Sequence, residues 1–191
     1  EAKEQNARSM RIIADHLRAS AFILAEKVAP SNLDQGYVLR KLIRRSIRHS
    51  RLLGIGRENF TSEIAKIVID TYKNDYAGLN KNKGFILEEL EKEEKKFKKT
   101  LETGLREFNK LIKQDSGITG KEAFILFSSY GFPWEMTQEL AEEEGLKVDK
   151  SDFEKEFKKH QDLSRAGAEK RFKGGLADSS EESKRLHTAT H

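Results

Sequence analysis

The chain has 191 residues, and its 36 Lys and Arg against 32 Asp and Glu leave a net charge of only +4, so any affinity for polyanions must come from local placement rather than bulk charge. Charged and hydrophobic residues each make up 36% and Pro occurs twice, a mix that favours a helical, soluble protein with a sizeable core. Cys is absent, which excludes a disulfide framework and makes an intracellular setting the default, and no apolar run reaches membrane-spanning length.

Residues 1–7 are polar and predicted to fray. Over residues 8–28, Met10, Ile13, Leu17, Leu24 and Val28 recur on one face, with small Ala14, Ala21 and Ala25 allowing close approach, and Pro30 stops the helix. His16 lies near the other face; a ligand or base role is open to it, but no partner is evident, and a structural histidine is the favoured reading. A turn-forming loop, PSNLDQG at 30–36, then leads into a helix over 36–53. Val38, Leu39, Leu42, Ile43 and Ile47 form its apolar stripe. Arg40, Arg44 and Arg48 repeat at every fourth position, with Lys41 and Arg45 beside them and Arg51 beyond, and no acid occurs between Gly36 and Leu53. Two readings stay open for this ridge: a grip on a phosphate backbone through Arg forks, or a face paired with acids from elsewhere, such as Glu63 or Asp70.

A third helix over 58–72 is expected to bury Phe60, Ile64, Ile67, Val68 and Tyr72, and residues 74–84 read as a polar loop. A long helix over 85–113 lines up Leu90, Phe97, Leu101, Leu105, Phe108 and Ile112, with the EKEEKK run at 91–96 as its solvated face. Gly104 in its interior costs about 1 kcal/mol of helix propensity, and close packing against another helix is the favoured reason for it. The sequence TGKE at 119–122 is a capping box for a short helix carrying Ala123, Phe124, Leu126 and Phe127, which SSYGFP at 128–133 breaks. Pro133 suits the first turn of a helix reaching residue 144, residues 146–148 form a brief extended link, and SDFE at 151–154 caps a last helix to about residue 165. Beyond Gly167 the composition reads as linker.

Four stretches taken together resemble the alanyl-tRNA synthetase family: residues 14–54, KKFKKTLETGLREF at 95–108, residues 120–149, and LHTATH at 186–191. They fall in the family's order and cover most of residues 8–165. The resemblance implies an all-α region of two helical subunits joined by a long helix, with boundaries at 1–76, 77–166 and 167–191. In the family this region recognises tRNA and lies between the catalytic and editing domains of a cytoplasmic ligase that attaches alanine to tRNA(Ala), using ATP and Mg, with Zn in the editing domain. His187 and His191 look like the first half of that zinc motif. The ATP- and alanine-binding motifs would precede residue 1, so the chain is expected to be a fragment without catalysis or cofactor of its own.

The family reads a G·U wobble pair in the minor groove of the acceptor stem, the groove that A-form RNA leaves accessible. An Asn before the basic helix and an Asp in a later turn do this in the family. The Asn matches Asn32; Ser128 stands at the Asp position, with Ser129 beside it, a departure that leaves an uncharged acceptor there. On this reading Arg40, Lys41, Arg44, Arg45 and Arg48 hold the stem's backbone while Asn32, Ser128 and Ser129 read the pair. The alternatives are a helical protein-docking module and a sequence-blind RNA-binding module.

Overall fold

The computed structural model describes residues 2–113 and 117–171, and His187 and His191 lie outside them. Among the described residues the chain is all-α: α1 (Ala2–Ala25), α2 (Asp34–Leu52), α3 (Phe60–Tyr72), α4 (Ala77–Lys81), α5 (Lys83–Leu111), α6 (Gly120–Tyr130), α7 (Trp134–Glu143) and α8 (Lys150–Arg171). Their one non-helical pairing is a parallel bridge between Ile118 and Val148, in the link expected to be extended.

The long α5 is the spine. It packs against α1, α2 and α3 on one side and against α6 on the other, and α6 in turn holds α7 and α8. Ile13, Leu17 and Leu24 of α1, Leu39, Ile43 and Ile47 of α2, and Leu90, Phe97 and Phe108 of α5 are all buried, as their helical spacing requires. Some edges of the expected stripes are not buried: Met10 and Ile67 are 59% and 67% exposed, and Val38 faces solvent as well. The N-terminal residues expected to fray are helical from Ala2, and α1 ends at Ala25, with Lys27 in the left-handed region (φ 63°) turning the chain before Pro30. A short helix, α4, interrupts the expected loop and buries Leu79.

Two capping boxes were expected, and one forms. Thr119 accepts from Glu122 N–H while Glu122 accepts from Thr119 N–H at 2.8 Å. At α8 the cap sits two residues earlier than SDFE implies: Asp149 Oδ1 accepts from the N–H groups of Ser151 (2.8 Å) and Asp152 (3.2 Å), which places Ser151 inside the helix. Ser128 and Ser129 likewise do not break α6. They form its last turn, and the break comes at Gly131 (φ 72°), whose N–H bonds back into the helix.

Candidate nucleic-acid interface

A cleft of about 270 Å³ opens where the start of α2, the middle of α5 and the end of α6 converge. Asn32, Tyr37 and Arg40 form one wall, Ser128, Ser129 and Gly131 the other, and Lys96 and Thr100 of α5 lie between them, with His160 of α8 at the rim. Asn32 and Ser128, far apart in the chain, thus share one cavity. A more apolar groove of about 400 Å³, lined in part by Leu33, Trp134 and Phe153, adjoins it and shares Asn32, Tyr37 and Phe127.

Both walls are held from behind. The exposed Asn32 accepts at Oδ1 from Arg40 Nη1, and Arg40 also donates to the Pro30 carbonyl at 3.2 Å, so the loop preceding α2 is tied to α2 itself. With Oδ1 occupied, the Asn32 amide offers its N–H donors outward. On the opposite wall, the Tyr130 carbonyl accepts from Thr100 Oγ1 (2.9 Å) and the Gly131 carbonyl from Arg44 Nη1. Gly131 is needed here twice over: for its positive φ, and because a Cβ would lie 3.1 Å from Arg44 Cζ. Ser128 and Ser129 are exposed, and the Ser128 hydroxyl makes only a long 3.5 Å bond to the Ile125 carbonyl.

The basic ridge is not an open cationic face. Arg44 and Arg48 are only 6% and 3% exposed, and every member of the ridge meets a carboxylate from another element. Arg44 donates to Glu93 from Nε (2.6 Å) and stacks over the Phe97 ring at 4.9 Å. Lys41 pairs with Glu135 (2.9 Å), Arg45 with Glu139 (2.8 Å), Arg48 with Glu139 (3.3 Å) and Glu143, and Arg51 with Glu102 (2.7 Å). Glu63 and Asp70, the partners suggested by sequence, pair instead with Arg57 and Lys73. Arg44 and Arg48, expected to help hold the stem's backbone, thus have guanidinium groups that are buried and already paired.

Electrostatics follow this geometry. Burial lowers Arg44 from its ordinary value, with Glu93 opposing. Burial pushes Glu139 up, but the donors His49 and Arg45 and the charges of Arg45 and Arg48 outweigh it and hold the carboxyl far below its usual range. Burial, reinforced by Glu135, raises Tyr37, whose hydroxyl donates to Glu135 at 3.0 Å. Burial also lowers His16, helped by Arg45, whose Nη1 lies 3.1 Å from its Nε2. His16 is thus part of the seam rather than a free ligand.

Sequence reasoning missed Glu93, Lys96, Thr100, Tyr37 and His160 as parts of this site. The charged run at 91–96 predicts a solvated face, yet Glu93 and Glu94 within it are 5% and 2% exposed. Glu93, Lys96 and Thr100 stand at helical spacing, and that shared face was the available signal.

Residues 1–191 match the family described as tRNA synthetases class II (A), and the chain belongs to that family. Among its relatives, a protein of Borrelia hermsii named alanine–tRNA ligase is 51% identical over 98% of this chain, which covers 32% of that relative. An alanine–tRNA ligase of Treponema pallidum is 48% identical over 96% of this chain and 31% of its own length, and one from Picosynechococcus is 43% identical over 88% and 19%. The chain thus spans about a third of the length of the first of these relatives. No described helix is long and apolar enough to cross a membrane.

Proposed function

We propose that this chain is the tRNA-recognition stretch of an alanine–tRNA ligase, and that the α2–α6 cleft takes the minor groove of the tRNA(Ala) acceptor stem. The observation that carries the reading is that Asn32 and Ser128–Ser129 flank the same cavity. A G·U pair leaves the guanine amino group unpaired in a wide, shallow groove, within reach of short polar side chains. The Ser128 hydroxyl, bonded only weakly, accepts from that amino group, and the outward N–H groups of Asn32 donate to acceptors on the base edge or ribose. The phosphate grip falls to the partly exposed Arg40, Lys41 and Arg45, whose side chains are 13%, 30% and 31% exposed, together with Lys96 at the cleft. In the whole ligase, a cytoplasmic enzyme using ATP and Mg for alanylation and Zn for editing, this placement delivers the tRNA's 3′ end to the catalytic domain.

The test is binding of this chain to acceptor-stem hairpins carrying G·U or G·C. The expected result is preference for G·U in the unaltered chain. In Asn32→Ala that preference falls by about fivefold, the worth of one hydrogen bond, while the salt-sensitive affinity is retained. Equal losses on both hairpins would refute the role of Asn32. Absence of binding to either would point to a protein-docking module.

A further inference from the structure

Glu93 touches no surface on which RNA could lie, yet it connects both walls of the cleft. It sits on α5, 5% exposed, and its Oε1 faces two guanidinium groups at once: Arg44, at 2.6 Å from Nε and 2.5 Å from Nη2, and Arg40, at 3.5 Å from Nε. Arg40 continues to Asn32 Oδ1, and Arg44 continues to the Gly131 carbonyl at the end of the serine wall. One buried carboxylate is therefore the shared anchor of two chains of contact, each ending at one of the two groups assigned to reading the wobble pair.

We propose that Glu93 is a positioning residue for base-pair discrimination, holding Asn32 and the Ser128–Ser129 turn in register through Arg40 and Arg44. The inference rests on the reading of the cleft given above. Its physical basis is like-charge repulsion: without the Glu93 charge, two neighbouring guanidinium groups, one of them buried, face each other with no counter-charge between them. Arg40 is the freer of the two and has solvent to turn to, so it releases Asn32. Arg44 is trapped against Phe97 and weakens its hold on Gly131. Neither change removes a group that contacts RNA. Both loosen the distance between donor and acceptor on which discrimination depends, and affinity from the phosphate grip survives.

Glu93→Gln keeps the shape and removes the charge. Glu94→Gln is the matched control: Glu94 is its neighbour on α5 and equally buried, but faces α3, accepting from Thr61 Oγ1 at 2.6 Å and pairing with Lys98 at 2.7 Å. Two readouts are taken on the full chain. In nitrogen–proton NMR spectra without RNA, the Asn32 side-chain amide and the Gly131 backbone amide both shift in Glu93→Gln and both stay in place in Glu94→Gln. In hairpin binding, Glu93→Gln lowers the G·U preference about fivefold, Glu94→Gln leaves it intact at a similar loss of thermal stability, and adding Glu93→Gln to Asn32→Ala costs less than about a further fivefold, since only the serine wall is left to displace. Either amide remaining in place in Glu93→Gln overturns the connection, whatever the RNA does. Loss of preference in Glu94→Gln as well assigns the effect to general destabilisation and overturns the positioning role. Should Asn32→Ala leave the preference untouched, it is the reading of the cleft that fails, and the NMR result still decides whether Glu93 links the walls.

Discussion

Gly104 is the position where helix propensity and packing make opposite demands, and Gly104→Ala separates them. An exposed Gly→Ala change in a helix interior gains about 1 kcal/mol. Here the added Cβ would stand 2.5 and 2.8 Å from the Phe132 ring and 2.9 Å from Tyr130 Cβ, against an ordinary contact of 3.4 Å or more. Neither neighbour can give way readily. Phe132 is fully buried, edge-on to Phe97 at 6.0 Å, and Tyr130 Cβ belongs to a turn whose carbonyl is held by Thr100 of the same helix. The overpacking cost therefore lies near the upper end of the usual range, about 3 kcal/mol, for a net loss of about 2 kcal/mol. For a chain of this size that is a fall in Tm of about 4–8 °C by circular dichroism. Because the turn that yields is the one carrying Ser128 and Ser129, G·U preference should fall in parallel. An unchanged or raised Tm would mean that propensity wins, and that α5 and the α6–α7 turn do not meet as tightly as described.

The remaining expectations concern charge and capping. Glu139→Ala leaves Arg45 without its carboxylate and the buried Arg48 with Glu143 alone, and should cost about 2–3 kcal/mol, whereas Glu102→Ala, whose pair with Arg51 is half exposed, should cost less than about 1 kcal/mol in chemical denaturation; similar losses would contradict a buried seam. Since the Glu139 carboxyl is held low, its stabilisation is complete above the unfolded carboxylate value of about 4.3 and disappears as pH falls below it. His16, also lowered, adds a loss beginning near its unfolded value of about 6.5, so a Tm flat from pH 7 to pH 3 would refute both assignments. Asp149→Ala should cost about 1 kcal/mol and Ser151→Ala nearly nothing in thermal melts; the reverse order would restore the cap to SDFE.

Helices with a clear apolar period were legible in the sequence, because Leu17, Leu39, Leu90 and Phe97 are buried by spacing alone. Boundaries were less so, for local reasons. Asp149 and Ser151 are both good caps, and the Ile118–Val148 bridge, a tertiary contact, leaves Asp149 outside the helix to do the capping. Leu79 lies among Gly78, Asn80 and Asn82, so its helix is hidden in a composition that reads as loop. The cleft was legible in its parts, Asn32 and the Ser128 turn, through the family resemblance. Its backing was not, since Glu93 looks like one more charge in a charged run. Of acids from elsewhere, Glu63 and Asp70 were weighed as partners of the basic ridge, and they pair instead with Arg57 and Lys73. Yet the partner ladder was present in the sequence: Glu135, Glu139 and Glu143 recur at every fourth position and face Lys41, Arg45 and Arg48 in turn, with Arg48 shared between Glu139 and Glu143.

That matching explains why a helix this cationic is placed inside the protein. The pairs ascend together along α2 and α7, so the two helices run parallel and meet through long side chains rather than close backbone packing. An apolar contact of the same area would be at least as stabilising but would tolerate sliding, whereas a charge ladder penalises any slip of one to three residues. Its weakness is periodicity: a slip of one full turn would restore most of the pairs. One contact outside the ladder removes that degeneracy, Arg44 on the Gly131 carbonyl. It touches the cleft. The ridge thus acts less as bait for phosphate than as a register device: it sets where α7 lies, α7 sets where the α6–α7 turn lies, and that turn carries the serines facing Asn32.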